Sequence, residues 1–208
     1  MNIELQNIGK RFNREWIFRH INLSFVQGKS YAITGSNGSG KSTLLQILAG
    51  ATLHNEGLIN WLHPNDNEPL QADKAYREVT IAAPYLDLVE EVTAAEFLQF
   101  HHNFKALNYP IAEILAQVGL SQAANKQIRY FSSGMKQRLK LAQAFFSHSS
   151  ILLLDEPTTN LDDEGIKIYN NLLQNYTANK LIIISSNNIA EYQSCDVQID
   201  IMQYKIFS

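Results

Sequence analysis

A glycine-rich segment at residues 35–42, GSNGSGKS, carries the residue types needed to hold a phosphate chain. It matches the Walker A pattern, whose glycines let consecutive backbone N–H groups turn inward around phosphate oxygens. Lys41 would place an ammonium on the β and γ phosphates, and Ser42 would offer a hydroxyl to Mg²⁺. A glycine turn capping a helix is the alternative, but chance rarely produces all the specified positions. The predicted nucleotide-binding residues here are Gly35, Ser36, Asn37, Gly38, Ser39, Gly40, Lys41, Ser42 and Thr43.

Two acids, Asp155 and Glu156, follow the apolar run at residues 151–154 and resemble a Walker B motif. The C-terminal end of a buried strand is where open α/β sheets bind ligands. Asp155 would hold Mg²⁺ through water, and Glu156 would act as general base toward the attacking water. An apolar run ending in two acids is equally typical of a solvated strand end, so this motif alone leaves both interpretations open.

The elements around these motifs predict an α/β fold. Residues 30–34 form an apolar run before the glycine loop, and residues 42–49 continue as a helix whose positive dipole end faces the anion. The solid apolar runs 151–154 and 181–184 are typical of strands covered on both faces in a parallel sheet, with a helix at 165–176 between them. We therefore predict a P-loop NTPase core with a parallel sheet.

Two further regions differ from this core pattern. Apolar residues alternate with polar ones near both Ile3 and Leu23, which predicts an N-terminal antiparallel β subdomain. Residues 93–146 show helical periodicity and predict an inserted α-helical subdomain, in which the Phe97, Phe100 and Phe104 stripe is assigned to the helix core. The polar segment 54–73, with Pro64 and Pro69, is interpreted as a connecting segment.

Composition limits the classes of function. The chain has 208 residues with 45% hydrophobic content, which suits one compact domain. A formal net charge of -3 provides no basic surface, so no nucleic-acid partner is expected. A single cysteine, Cys195, and an N-terminus without the apolar core of a signal peptide favour the cytosol. No apolar run approaches the roughly 20 residues of a membrane span, so any membrane role would come through a partner.

The segment FSSGMKQR at residues 131–138 resembles the LSGGQ signature of the ATP-binding cassette (ABC) family. Alone it could be an ordinary serine N-cap of an amphipathic helix. With the glycine loop upstream and Asp155-Glu156 downstream at the family spacing, the resemblance extends over nearly the whole chain. It implies that Ser132, Ser133 and Gly134 contact, in trans, the γ-phosphate held by another subunit. It also makes Asp162, in the D-loop sequence TNLD, a contact across the dimer interface.

The resemblance implies an ATP-binding and ATP-hydrolysing transporter subunit with ATP and Mg²⁺ as cofactors. It would form a homodimer or paired cassette that closes on ATP and drives a separate transmembrane permease. The expected location is cytoplasmic, at the inner face of the cell membrane through that permease. The chain would be one domain, 1–208, with a core lobe at about 1–85 and 147–208 and a helical subdomain at about 86–146.

An aromatic ring for adenine is expected in the same lobe. Phe12 aligns with the family aromatic that stacks on the base, and a ring face suits that role. Trp16 is a near competitor, and a strand-edge core role for Phe12 is the other interpretation.

Three positions depart from the family pattern. Pro84 stands where relatives carry the Q-loop glutamine, and Tyr85 or Asp87 are candidate substitutes. Asn187 replaces the switch histidine, so it can donate a hydrogen bond but brings no positive charge. In the signature, Ser133 replaces a glycine and Met135 a glutamine. The alternative function is therefore an ATP-binding switch with weak or no hydrolysis.

His101 and His102 are adjacent, and on a helix their side chains diverge by about 100°. They cannot chelate one ion together, so we interpret them as solvated or packing residues.

Overall fold

The computed structural model describes residues 1–63 and 69–205. Their Cα positions divide into two compact units. The first unit comprises Met1–Val79, Ser149–Asp155 and Asn179–Ser208, and the second comprises Thr80–His148 and Glu156–Ala178. The lobe boundaries given above remain a prediction. Pro64 of the predicted connecting segment lies outside the described residues.

Eight strands and six α-helices lie within these described ranges. The strands are β1 (Asn2–Phe12), β2 (Glu15–Phe25), β3 (Ser30–Thr34), β4 (Glu56–Leu62), β5 (Val79–Ala82), β6 (Ile151–Asp155), β7 (Leu181–Ser185) and β8 (Val197–Asp200). The helices are α1 (Lys41–Leu48), α2 (Ala94–Phe104), α3 (Ile111–Gln117), α4 (Ser133–Phe146), α5 (Asp163–Asn175) and α6 (Ile189–Tyr192).

The predicted antiparallel subdomain is a three-stranded sheet in the order β2-β1-β4. Leu5 of β1 pairs with Leu23 of β2 on one side and with Ile59 of β4 on the other. Five of the sheet's apolar residues are fully buried: Ile3, Ile8, Phe18, Ile21 and Phe25. Register shifts between Leu5 and Ile8 and between Ile8 and Lys10 interrupt the strict alternation of the two strands.

The interpretation of residues 54–73 as a connecting segment was wrong, because β4 occupies part of it. Trp61 is buried there, and its indole N–H donates to the backbone oxygen of Leu48 at 3.0 Å. Only one residue of β4 is buried, so the strand needs few apolar side chains. Pairing with β1 supplies the backbone hydrogen bonds of β4.

The second sheet has the strand order β5-β6-β7-β3-β8. β3 pairs in parallel with β7 and with β8, and β6 pairs in parallel with β7. Every residue of β6 is buried, as predicted for a strand covered on both faces. The carboxyl ends of β3, β6 and β7 therefore lie at one edge, which is where the two phosphate-binding motifs of the sequence follow their strands.

The second unit contains α2 to α5. Thr93 begins α2 with a reciprocal capping box, in which its side chain accepts from Glu96 N and Glu96 accepts from Thr93 N at 2.8 Å. His101 lies between Ser147 Oγ at 2.7 Å and Gln143 Nε2 at 2.9 Å, and burial lowers its pKa to about 4. It is a neutral residue of the helix packing, whereas His102 accepts from the backbone N–H of Leu107 at 3.0 Å.

The assignment of the phenylalanine stripe to the helix core was wrong for two of its three members. Phe97 is buried, but Phe100 is 61% exposed and Phe104 is 74% exposed. Their rings contact each other edge to face, with centroids 4.9 Å apart. Phe100 also lines a mostly apolar groove of about 490 Å³, whose other lining residues are Val89, Val92, Glu96, Phe97, Gln99 and Asn103. Helical period alone does not show which face of α2 is covered.

Within the described residues, no helix combines the length and the apolar character needed to cross a membrane.

Candidate functional site

The glycine loop runs from the end of β3 into α1, as predicted. Gly35, Gly38 and Gly40 have positive φ values of 141°, 73° and 103°. A Cβ at Gly40 would lie 2.5 Å from Ile17 Cγ2, so this position needs glycine for space as well as for conformation. At its glycine positions the loop thus has the tight backbone that wrapping a phosphate chain requires.

Lys41 begins α1 and is only 5% exposed. Its Nζ donates to the carbonyl oxygens of Gly35 at 2.8 Å and Ser36 at 3.2 Å. An ammonium has three N–H donors, so one is left for a ligand. Among the described residues Lys41 takes part in no salt bridge. A buried cation without a carboxylate is stabilised by an anion, which fits a phosphate at this loop.

Asn187 lies just beyond the carboxyl end of β7, and its Nδ2 donates to Asn37 Oδ1 of the glycine loop at 2.6 Å. Both side chains are exposed. The residue in the switch-histidine position is therefore held by the phosphate loop itself. One N–H of its amide and its carbonyl oxygen are left for other partners.

Asp155 is the last residue of β6 and is 2% exposed. Its Oδ1 has no hydrogen-bond partner among the described residues, and neither has the buried Ser39 Oγ of the glycine loop. Buried polar atoms without partners are rare in folded proteins and point to a missing ligand. A carboxylate oxygen is a ligand, or an acceptor for hydration water, that suits Mg²⁺. Ser42 and Thr43 lie in the first turn of α1, both partly exposed.

Glu156 follows Asp155 directly and belongs to the second unit. Its φ of 41° lies in the left-handed region, which is costly for a residue with a side chain. Its carbonyl accepts from Thr159 N at 3.1 Å, closing the turn that follows. The chain therefore forms a turn that begins at Glu156, directly after β6.

The two candidate aromatics for adenine differ in their surroundings. Trp16 contacts the guanidinium groups of Arg19, at 4.3 Å from its ring centroid, and of Arg11, at 5.4 Å. Phe12 is 50% exposed, with Lys10 Nζ 4.7 Å from its ring centroid. Phe12 is thus the more open ring, and its role as adenine platform stays a prediction.

The signature residues open α4. Ser132 is its N-cap and accepts from Met135 N at 3.2 Å, while Ser133 and Gly134 form the first turn. A Cβ at Gly134 would lie 2.9 Å from the backbone oxygen of Asn160, so glycine permits α4 to approach the D-loop closely. Within the chain, Ser132 is therefore an ordinary N-cap. Its contact with the nucleotide of another subunit stays a prediction.

Asp162 is the N-cap of α5, and its Oδ1 accepts from Gly165 N at 2.8 Å. Its second carboxylate oxygen is the atom left for the predicted contact across a dimer. Gln137, which the sequence did not single out, is buried in α4 and donates to the carbonyl oxygen of Pro157 at 2.9 Å. Gly134 thus allows the D-loop backbone to approach α4, and Gln137 holds the turn just before the D-loop against the same helix.

Pro84 forms part of a turn in which Leu86 N donates to Ala83 O at 3.3 Å. Lys140 of α4 donates to the carbonyl oxygens of Pro84 at 2.8 Å and Ala83 at 3.4 Å. Burial lowers the pKa of Lys140, while Asp87 opposes that shift. A lysine therefore anchors the backbone of the segment in which relatives carry glutamine. No pattern in the sequence had pointed to Lys140.

The first unit thus brings the glycine loop, Asp155 and Asn187 together at one sheet edge, and the second unit holds Glu156, the signature and the D-loop.

The model of the family described as ABC transporter matches residues 18–159. An uncharacterized ABC transporter ATP-binding protein of Bacillus subtilis, YybJ, is 33% identical over 203 residues, which cover 95% of this chain and 91% of that protein.

The cytochrome c biogenesis ATP-binding export protein CcmA of Vibrio vulnificus is 29% identical over 185 residues, covering 88% of this chain and 89% of CcmA. Among solved structures, the ATP-binding cassette MJ0796, a dimer in a post-hydrolysis state bound to ADP and Pi, superposes with a TM-score of 0.81. It is 24% identical, and the match covers 96% of this chain and 94% of that one, so it supports the fold. The matched range contains the glycine loop, the signature and both acids, and the chain belongs to the ABC transporter family.

Proposed function

We propose that this chain binds Mg-ATP and hydrolyses it as the ATPase subunit of a transporter. The observation that carries the proposal is the buried ammonium of Lys41. Among the described residues it has no carboxylate partner, and it donates to a backbone carbonyl oxygen of the glycine loop. Such a site stabilises a multiply charged anion. Phe12 would support the adenine, and Gly35 to Thr43 would surround the phosphates.

In the proposed reaction, a water oxygen attacks the γ-phosphorus while the bond to the β–γ bridging oxygen breaks, giving ADP and phosphate. Glu156 accepts the proton from that water. Lys41 stabilises the charge on the transferred phosphoryl group, and Asn187 donates a neutral hydrogen bond to it. Ser42 and Asp155 would hold Mg²⁺, which supplies charge neutralisation at the phosphates when bound.

We also propose that the chain acts as a dimer, either of identical copies or with a second cassette. The N-terminus of α4, with Ser132, Ser133 and Gly134, would cover the γ-phosphate bound by the other copy, because backbone N–H groups and the helix dipole favour an anion there. Asp162 would contact the partner across the interface.

A separate membrane permease is the partner that we propose for the apolar groove of the second unit. The groove is lined mostly by carbon, and the exposed Phe100 offers an aromatic anchor of the type common at interfaces. The chain would then lie at the inner face of the cell membrane, on the cytoplasmic side. Family membership among transporters is what supports this partner.

Phosphate release measured with and without Lys41→Ala tests the ATPase. We expect Mg²⁺-dependent hydrolysis by the unaltered chain and a loss of at least a hundredfold in Lys41→Ala, because the ammonium neutralises charge at the reacting phosphate. Lys126→Ala, which removes an exposed lysine, is the matched control and should keep the rate. Tight ATP binding with background hydrolysis would favour the alternative, a nucleotide-dependent switch.

A further inference from the structure

Ser185, the last residue of β7, holds a second unpartnered oxygen at the carboxyl edge of the parallel sheet. Its side chain is fully buried, and its Oγ has no hydrogen-bond partner among the described residues. The next residue differs, since Ser186 Oγ accepts from Asn188 N at 2.8 Å. A buried hydroxyl without a partner lowers the stability of the fold unless a ligand or a water forms a hydrogen bond with it.

Register places this hydroxyl beside the predicted metal residue. β6 and β7 pair in parallel, and Asp155 stands opposite Ser185. Neighbouring strands lie about 4.8 Å apart, and residues paired across them send their side chains to the same face. Asp155 Oδ1 is itself buried and unpartnered. Two hydrogen bonds of about 2.8 Å each span such a separation, so one water fits between the two oxygens.

The chemistry of this pair suits one particular kind of water. Mg²⁺ keeps several waters when a protein binds it, and a water held by a cation through its oxygen has both hydrogens left to donate. It therefore needs two acceptors. The Asp155 carboxylate oxygen and the Ser185 hydroxyl oxygen, at the same buried end of the sheet, supply both acceptors. An apolar residue at position 185 would leave only the carboxylate.

We propose that Ser185 is a positioning residue of the Mg²⁺ site. Its Oγ and Asp155 Oδ1 accept the two hydrogens of one hydration water of the ion, which fixes the ion at the glycine loop. This inference rests on the proposed function, because it requires Mg²⁺ and nucleotide at that loop. It adds a third protein group to the predicted pair Ser42 and Asp155.

The test compares the affinity for ADP in EDTA with the Mg²⁺ concentration that half-saturates the ADP complex, both by calorimetry. Mn²⁺ binding to the ADP complex, followed by electron paramagnetic resonance, gives a second readout. For Ser185→Ala we expect ADP affinity in EDTA within about twofold of the unaltered chain, and a half-saturating Mg²⁺ concentration raised about tenfold, as is usual when a group supporting a metal site is removed.

Ser150→Ala is the control, because it removes a serine of the same unit whose Oγ donates to Glu78 at the opposite end of β6. It should lower thermal stability and leave the Mg²⁺ requirement unchanged. Ser185→Thr keeps the hydroxyl, so its half-saturating Mg²⁺ concentration should stay within about threefold of the value for the unaltered chain. If Ser185→Ala does not fold, Ser185→Cys carries the same measurement with a side chain of similar size.

An unchanged Mg²⁺ requirement in a folded Ser185→Ala or Ser185→Cys protein would overturn the inference while leaving the proposed function intact. Failure of the unaltered chain to bind ADP, in EDTA and in Mg²⁺ alike, would instead overturn the proposed function, and the role of Ser185 with it.

Discussion

Individual side chains decide how much positive charge reaches the reacting phosphate. In the proposed reaction Lys41 would supply an ammonium, but Asn187 would supply only an amide, which already donates to Asn37 Oδ1 at 2.6 Å. The hydrogen bond to Asn37 limits the directions in which the amide can point. The residue at the predicted switch position therefore brings no positive charge, and we expect turnover to be slow and independent of an imidazole.

Replacing Asn187 by His should restore the missing charge. An imidazole with an ordinary pKa near 6.5 is protonated below that value, so ATP turnover of Asn187→His should rise about tenfold as the pH falls from about 8 to about 6. The unaltered chain should show no such rise. Steady-state phosphate release across this range is the measurement, with Asn188→His as the matched control. A flat profile for Asn187→His would show that position 187 does not face the phosphate.

At the scale of helices and loops, the close contact between α4 and the D-loop sets the surface that a partner copy would meet. Gly134 permits it, because any Cβ there would lie 2.9 Å from Asn160 O, and Asn160 itself has a positive φ of 66°. Gln137 adds a buried hydrogen bond to Pro157 O. The signature and the D-loop are thus one structural feature of the second unit, although they are separate motifs in the sequence.

Gly134→Ala should therefore disturb the D-loop. Inserting a methyl group against backbone costs about 1–3 kcal/mol of stability or displaces the turn. We expect ATP affinity of the single chain to be retained and the ATP-dependent dimer to be weakened at least tenfold, measured by analytical ultracentrifugation. Lys126→Ala, a change at an exposed lysine of the same unit, should leave both unchanged. Wild-type dimerisation by Gly134→Ala would contradict the predicted contact.

Local pattern predicted much of this architecture. Residues 35–42, the buried runs of β6 and β7, and the N-cap Ser132 of α4 are short-range signals, and the structure places each in the predicted element. β4 was missed because its stability comes from pairing with β1, which is distant in the chain. Ser185 and Lys140 were missed for a related reason: their roles depend on strand register and on helix packing, and a single sequence displays neither.

The exposed face of α2 shows the same limit. The spacing of Phe97, Phe100 and Phe104 gave the correct helix, but whether the outer two are covered depends on what packs against them. The permease that we propose would be a further chain, so its proposed binding surface has the pattern of a core in the sequence and forms a groove in the folded protein.

For the whole molecule, we propose that two cassettes close on ATP, with the glycine loop of one copy opposite the α4 N-terminus of the other. The phosphate loop belongs to the first compact unit of the chain, and the signature belongs to the second. The proposed dimer therefore requires that each copy present both its phosphate loop and its signature to the other copy. Hydrolysis would then release the copies, and slow hydrolysis would prolong the closed state.

The most direct test is the oligomeric state of Glu156→Gln in Mg-ATP, measured by size-exclusion chromatography with light scattering. Without the general base, ATP should persist, and we predict a dimer that returns to monomer when Lys41→Ala is added or when ATP is replaced by ADP. If a second cassette is required, the dimer should form only with that chain present. If Glu156→Gln binds ATP at saturation but stays monomeric with both possible partners supplied, the chain does not close on ATP as a dimer.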